Sequence, residues 1–306
     1  MQNIMSLVIS LLKEHNCTLI EIKQKIPGFN HFIGSWVYRG DINFVVDVGP
    51  ANSVSRLIEA LMMMNVERVD YILLTHIHID HAGGLAEILA HFPMARVVCH
   101  DKGIKHLVDP SKLWEGSQKV LVEIAEAYGP PKAVKEEVCI PHTQARIQGL
   151  VIIETPGHAP HHLSFSYKGN LFAGEAGGNY FFVRDMDYLR PATPPRFFLE
   201  DFLGSVDRLM ALKDQHICYA HFGDAPHSCQ MLKRFRAQIL RWKEVIQKEM
   251  SVGSDELVVR CVDTLLEKDP DLKAFKFMDP DIQKRERFFM ANSVRGYIEF
   301  FKASAR

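Results

Sequence analysis

Several things are missing from this 306-residue sequence, and each absence excludes a class of function. No CxxC pair occurs among the six cysteines, Cys17, Cys99, Cys139, Cys218, Cys229 and Cys261. That removes the sequence basis for a cysteine zinc site or a redox dithiol. Several of these cysteines sit in apolar runs, so buried free thiols in a reducing compartment are expected. Neither sign of charge is in excess: 36 Lys and Arg face 37 Asp and Glu, a formal net charge of -1. No basic face is implied, and hence no nucleic-acid partner. No hydrophobic run approaches membrane length, because the apolar stretch at 7–12 is closed at once by Lys13 and Glu14. That stretch also lacks a basic start and a small-residue cleavage pattern. The expectation is a cytoplasmic protein with no membrane partner. Internal repeats and low-complexity segments are lacking too.

What is present is a globular composition, 47% hydrophobic and 24% charged. A chain of this length buries roughly 75% of its extended surface. Residues 2–15 carry an imperfect helical stripe. Strands are expected at 18–22, at 32–38 and at 43–47, the last two as a hairpin turned at Arg39-Gly40-Asp41. Ser53 is the expected N-cap of a helix running to about Asn65. The apolar run Tyr71-Ile-Leu-Leu74 and residues 95–99 are further strands, with helix between them. This alternation is the pattern of an α/β sheet covered by helices. Residues 101–135 read mostly as helix, and strands follow near 147–154, 163–167, 171–173 and 217–220. Residues 185–200 are rich in proline and aromatics, and a helix is expected from Phe202.

The texture changes after residue 228. Leu232, Phe235, Ile239, Trp242 and Ile246 fall at alternating spacings of three and four, the mark of an amphipathic helix. Ser254 is the expected cap of a second helix, and a third runs over about 281–301. The sequence therefore divides into an α/β core over 1–228 and a helical extension over 229–306. The amphipathic tail also offers a surface for a homodimer.

The chemistry concentrates in Thr75-His76-Ile77-His78-Ile79-Asp80-His81-Ala82-Gly83-Gly84. Three histidines and an aspartate occupy six positions just past an apolar strand. Imidazole suits Zn, Fe, Ni or Co, and carboxylate widens the choice to Mn. Three more ligand-type residues follow strands beside a glycine: His158 in Thr155-Pro156-Gly157-His158, Glu175 after Gly174, and His221 before Phe222-Gly223. Functional groups often sit where rigid strands give way to loops. Asp47, in Asp47-Val48-Gly49-Pro50, reads either as a turn former or as a carboxylate that orients a ligand histidine.

Together, His76-x-His78-x-Asp80-His81, His158, Glu175 and His221 resemble the signature of the metallo-β-lactamase fold superfamily of metallohydrolases. The resemblance spans residues 18–223. It implies a four-layer αβ/βα sandwich, here with a C-terminal helical extension packing near the active-site face. It also implies two divalent metal ions, with Zn expected first and Fe or Mn as alternatives. In that family pattern His76, His78 and His158 bind one metal, Asp80, His81 and His221 bind the other, and the acid at 175 bridges them. The family normally has Asp there, and Glu175 carries an additional methylene, about 1.5 Å of reach.

The expected reaction is metal-assisted hydrolysis of a small ester, thioester, lactone or phosphodiester, with hydroxide activated by the metal pair and Asp80 orienting it. His161 or His162, Asn179, Tyr180 and His227 are the candidate walls of the substrate pocket. A β-lactamase proper would need an export signal, and a nuclease of this family a basic tract; neither is found. The alternative function is a regulatory or interaction protein that keeps the metal site with weak or no hydrolysis.

Overall fold

The computed structural model describes residues 8–12, 16–195 and 197–304. A seven-stranded sheet follows the order of the chain: β1 (Val8–Leu12), β2 (Cys17–Glu21), β3 (Gly34–Arg39), β4 (Asn43–Val46), β5 (Tyr71–Leu73), β6 (Arg96–Cys99) and β7 (Cys139–Pro141). The first four pair antiparallel, and β4 through β7 run parallel. Parallel neighbours require crossovers. These are supplied by α1 (Val54–Met63), by α2 (Ile79–Ala82) with α3 (Leu85–His91), and by α4 (Asp101–Val108), α5 (Ser111–Leu121) and α6 (Glu123–Tyr128).

A five-stranded sheet contains β8 (Val151–Glu154), β9 (Leu163–Tyr167), β10 (Asn170–Gly174), β13 (His216–Tyr219) and β14 (Asp224–Ala225), in the spatial order β14-β13-β10-β9-β8. The strands β11 (Asn179–Val183) and β12 (Met186–Arg190) form a separate hairpin. The remaining helices are α7 (Leu199–Met210), α8 (Ser228–Val252), α9 (Leu257–Lys268) and α10 (Pro280–Ser304).

Side-chain alternation along the strands builds the layers, because successive residues point to opposite faces. Ile20, Val37, Val45, Ile72 and Val97 turn outward and pack with Leu57 and Leu61 of α1, Ile88 of α3 and Leu107 of α4. Their neighbours Leu19, Trp36, Tyr38, Phe44, Val46, Leu73 and Val98 turn inward, into one cluster with Phe165, Tyr167 and Phe172 of the second sheet. Tyr38 and Phe44 both meet Tyr167 edge-on, at 5.0 and 5.4 Å between ring centroids. The Trp36 Nε1 donates to the Tyr219 carbonyl at 2.9 Å and ties sheet to sheet. With helices outside, the result is the expected αβ/βα sandwich.

The expected stripe of α8 is buried throughout, and Leu232, Phe235, Ile239, Trp242 and Ile246 join the same cluster as the inter-sheet residues. Apolar packing is thus continuous across residue 228. Tyr297 of α10 closes it, donating its hydroxyl to the Ile239 carbonyl at 3.0 Å.

Three local expectations are corrected. Residues 8–12 of the expected first helix form β1, an edge strand on β2, while 2–7 and 13–15 lie outside the described residues. Ser53 does occupy the N-cap position of α1, but its hydroxyl donates back to the Pro50 carbonyl instead of accepting from the helix. The second tail helix starts at Leu257, capped by Glu256 in the left-handed region rather than by Ser254. Residues 186–190, in the stretch noted only for its composition, form β12. No helix among the described residues is long and apolar enough to cross a membrane.

Candidate metal centre

The site lies where β4, β5, β8, β10 and β13 run out into loops. Asp47 follows β4 with φ 57°, and its carboxylate collects three donors. It accepts from the Thr75 amide at 2.8 Å, from the Thr75 hydroxyl at 2.7 Å and from His81 Nδ1 at 3.0 Å. An ionised carboxylate only accepts, so the His81 proton is on Nδ1 and Nε2 is left facing inward. The Thr75 hydroxyl, having donated to Asp47, accepts from His76 Nδ1 at 3.0 Å. His76 therefore also turns a bare Nε2 inward.

The same reasoning fixes two further rings. His158 Nδ1 donates to the Ala192 carbonyl at 2.9 Å and His221 Nδ1 to the Phe32 carbonyl at 3.2 Å. Their Nε2 atoms are the free ones. His76 Nε2 and His158 Nε2 converge on His78 Nδ1, at 2.9 and 3.1 Å. On the other side, Glu175 Oε1 lies 3.0 Å from both His81 Nε2 and His221 Nε2, and 4.0 Å from His158 Nε2. Asp80 Oδ2 stands 3.6 Å from His81 Nε2 and 3.9 Å from His221 Nε2.

Two donor groups result, His76 with His78 and His158, and Asp80 with His81 and His221, each compact enough to share an ion. Glu175 stands between them.

Glu175 is placed by a chain of hydrogen bonds. Its amide donates to His162 Nε2 at 3.1 Å, and His162 Nδ1 then donates to the Thr155 hydroxyl at 2.8 Å. Thr155 bonds Ser164 at 2.9 Å, and Ser164 donates to the Ala173 carbonyl at 2.8 Å. The chain begins and ends two residues apart on the same strand end. Gly174 lies between those two residues with φ +58°, where a Cβ would come within 2.3 Å of His162 Nε2. Only glycine fits both the conformation and the contact.

The donor set fits cations. Burial drives His76 and His78 well below the ordinary histidine range, and burial lowers His158 as well, so these rings present lone pairs. Burial also works to raise Glu175, yet His81, His76 and His158 hold it well below the carboxylate range. Burial opposes charge on His81, yet Glu175, Asp80 and Asp47 together raise it well above its usual value. The field at His81 Nε2 thus favours positive charge. That nitrogen and Glu175 Oε2 are buried without a hydrogen-bond partner. Three nitrogens of neutral rings meet at one point, and a single proton on His78 Nδ1 can serve only one of its two neighbours, an arrangement that suits a cation.

The structure separates the other candidates. His162 is fully buried and has both ring nitrogens engaged, so it supports Glu175 rather than facing a pocket. Tyr180 is buried and stacked on Tyr219 at 4.8 Å. The Asn179 amide, oriented to satisfy both partners, accepts from Arg190 Nη1 and Nη2 at 3.2 and 3.1 Å. Pocket roles for these three give way to packing. His227 is held elsewhere: its ring is 62% exposed and pairs with Asp214 at 2.8 Å, at the head of α8.

Three residues beside the centre were not singled out from the sequence. Phe32 stacks on His221 at 4.5 Å. Thr75 links Asp47 to His76. The Tyr128 hydroxyl is buried without a partner, within the field of the Asp80 carboxylate. Thr75 alone had a local signal, as the residue preceding the histidine cluster.

Comparison with known proteins agrees with this geometry. Residues 32–221 match the model of the metallo-beta-lactamase superfamily. The metallo-beta-lactamase fold-containing protein ST1585 of Sulfurisphaera tokodaii is 29% identical over 221 residues, 69% of this chain and 79% of that protein. A hydroxyacylglutathione hydrolase of Aeromonas hydrophila is 30% identical over 196 residues, 63% of this chain and 62% of its own length. Among solved structures, the archaeal ST1585 superposes with a TM-score of 0.64 at 24% identity, covering 92% of this chain and 98% of that one. The metallo-beta-lactamase family protein TTHA1429 of Thermus thermophilus gives 0.63 at 19%, covering 95% and 94%. The family match over the sandwich and the two donor groups lead to one conclusion: this chain belongs to the metallo-beta-lactamase superfamily.

Proposed function

We propose that the protein is a metal-dependent hydrolase acting on a small ester, thioester, lactone or phosphodiester. The observation that carries this reading is the paired donor set with one carboxylate between its halves. His76 Nε2, His78 Nδ1 and His158 Nε2 would hold one divalent ion, and Asp80, His81 Nε2 and His221 Nε2 a second. Zn suits these donors best, and Fe or Mn is accepted by the same mixture. When bound, such ions supply Lewis acidity and bring the pKa of water toward 7.

The protein groups do the rest. Asp80, with its side chain 17% exposed, is placed to orient an attacking water and to take its proton at Oδ. The same oxygen can return that proton to the leaving group. Asp47 and Thr75 hold two ligand rings in their working tautomers. Phe32, flat against His221, keeps bulk water from that side. The hydroxyacylglutathione hydrolases among the relatives support the thioester member of the substrate set. Six unpaired cysteines support a reducing, cytoplasmic setting.

The test is turnover by metal-loaded protein against nitrophenyl esters, acyl thioesters, lactones and phosphodiesters. Turnover of at least one class, abolished by a chelator, is expected. No turnover of any class at full metal occupancy would overturn the hydrolase reading and leave the regulatory or interaction role.

A further inference from the structure

We infer that His100, His142 and Glu154 form an additional cation site, separate from the paired centre and of the kind that takes zinc or cobalt. The three ligand atoms lie within 4.8 Å of one another. His142 Nε2 is 2.9 Å from Glu154 Oε1, and His100 Nε2 is 3.8 Å from Glu154 Oε2. The two imidazoles face each other at 4.4 Å with a tilt of 34°. Each carboxylate oxygen thus faces one ring, and both rings turn Nε2 to the same carboxylate. Two imidazoles and a carboxylate are a familiar donor set for zinc, with a remaining position for water.

The surroundings prepare the rings. His100 Nδ1 lies 2.6 Å from Asp101 Oδ1. As folded, that nitrogen accepts from the Lys102 amide at 3.1 Å. When Nε2 binds an ion the ring proton moves to Nδ1, where Asp101 accepts it, the usual support for a ligand histidine, and the Lys102 amide keeps Asp101 Oδ1 at 2.7 Å. His142 Nδ1 accepts from the Asp101 amide at 3.3 Å. For His142 Nε2 to bind an ion, its proton must move to Nδ1 and that long contact must loosen. Both rings are nearly buried, with side chains 4% and 7% exposed, whereas Glu154 is 57% exposed. An ion therefore reaches a preformed pair of rings from solvent, through the carboxylate side.

Topology gives the site a purpose. β7 is the edge strand of the first sheet and β8 the edge strand of the second. His142 directly follows β7, Glu154 ends β8, and His100 directly follows β6. An ion shared by these three staples the open edges of the two sheets together. β7 is only three residues long and can contribute little hold of its own. β8 also leads directly to Thr155 and His158, so the staple fixes the strand that delivers one ligand of the paired centre. The two ligand sets share no residue.

The experiment titrates the full chain with Co(II) or Zn(II) alone and reads equivalents bound, Co(II) absorption and melting temperature. Wild type should bind one equivalent more than His142→Ala and more than Glu154→Gln. Glu154→Gln guards against misfolding, since the side chain it changes is largely exposed. His78→Ala, which breaks the paired centre, should keep the additional equivalent and its absorption band. Zinc should raise the melting temperature of His78→Ala by more than that of the His78→Ala, Glu154→Gln double variant, which keeps only the Asp80, His81 and His221 group. Equal stoichiometry and identical Co(II) spectra in wild type and Glu154→Gln would overturn the inference and leave an ordinary hydrogen bond between His142 and Glu154. Because wild type and Glu154→Gln differ only at the trio, and His78→Ala leaves the trio intact, that result is distinguishable from failure of the hydrolase reading on which the paired centre rests.

Discussion

Among the buried clusters of charged and polar side chains, those around Glu286 and Glu175 are built on opposite principles. Around Glu286 of α10, the carboxylate bonds Arg190 through one oxygen and Arg285 Nε through the other at 2.8 Å. Arg285 also donates to the Gly28 and Asn30 carbonyls at 2.7 and 3.1 Å and lies over the Phe32 ring at 4.3 Å. That cluster supplies its own cations. Around Glu175, the carboxylate meets only imidazoles, and His81 Nε2 and Glu175 Oε2 find no hydrogen-bond partner. A buried anion must be neutralised by something. One cluster neutralises its carboxylate with its own arginines, leaving only Arg285 Nη2 without a partner; the other has donors arranged for cations from outside. The two meet through Phe32, which contacts Arg285 on one side and stacks on His221 on the other. The tail helix therefore braces a ligand ring while contributing no ligand.

Removing the carboxylate from the self-sufficient cluster should show the largest stability effect. Glu286→Ala leaves Arg190 and Arg285 buried without their anion, and a loss of about 3–5 kcal/mol is expected in denaturant unfolding. Metal content per folded chain should hardly change. The opposite outcome, unchanged stability with lost metal, would erase the distinction between the clusters. His78→Ala is the converse experiment. It should reduce turnover on the order of 10²–10³-fold and lower bound metal, with a melting temperature close to wild type once both are measured with chelator present. Asp47→Asn is the next step down. It removes the anion that holds His81 and Thr75 in place, and metal affinity should fall roughly 10–100-fold.

The residues of the two donor groups were readable in the sequence because most of them are local. His76, His78, Asp80 and His81 occupy one turn after a strand, and His158, Glu175 and His221 each follow an apolar run. The helical tail was readable from the spacing of Leu232 to Ile246. What escaped depends on distant partners. A short apolar run such as 8–12 reads as helix or strand equally well, and only pairing with β2 decides it. The β11–β12 hairpin turns at Arg184, which has φ 55° without being Gly or Asn, so no turn signal marks it. Arg190, at the end of that hairpin, meets Glu286 some 96 positions away, and neither residue announces the other. Phe32 and Tyr128 reach the site by the same kind of long-range folding. His227 looked functional because it follows His221 closely, but chain proximity did not become spatial proximity: the ring turns to Asp214.

Acid sharpens the contrast through its sign. Burial works to raise Glu286, yet Arg190 and Arg285 hold it below the ordinary carboxylate range. A carboxyl depressed in the folded state contributes stability in full above its unfolded pKa, about 4.3, and loses it as pH falls from there toward the folded value. Wild type should therefore lose stability more steeply below about pH 4.3 than Glu286→Gln, in which this titration is gone. Parallel pH profiles for the two proteins would remove Glu286 from the account.

The smallest effect is expected where the chain departs from its family pattern. Glu175→Asp keeps the charge and shortens the side chain by about 1.5 Å. The backbone at 175 would stay in place, because its amide bonds His162 and the glycine before it fixes the conformation. The carboxylate must then withdraw from His81 Nε2 and His221 Nε2, which Oε1 now approaches at 3.0 Å. Two ions should still bind, with the ion at Asp80, His81 and His221 weakened by less than about tenfold, within the range for changes to ligand support. Calorimetry with Zn(II) reads the two affinities separately. Loss of an entire equivalent would mean that the longer side chain is required to span the two donor groups. An unchanged pair of affinities would mean that Glu175 serves the field of the site rather than either ion directly.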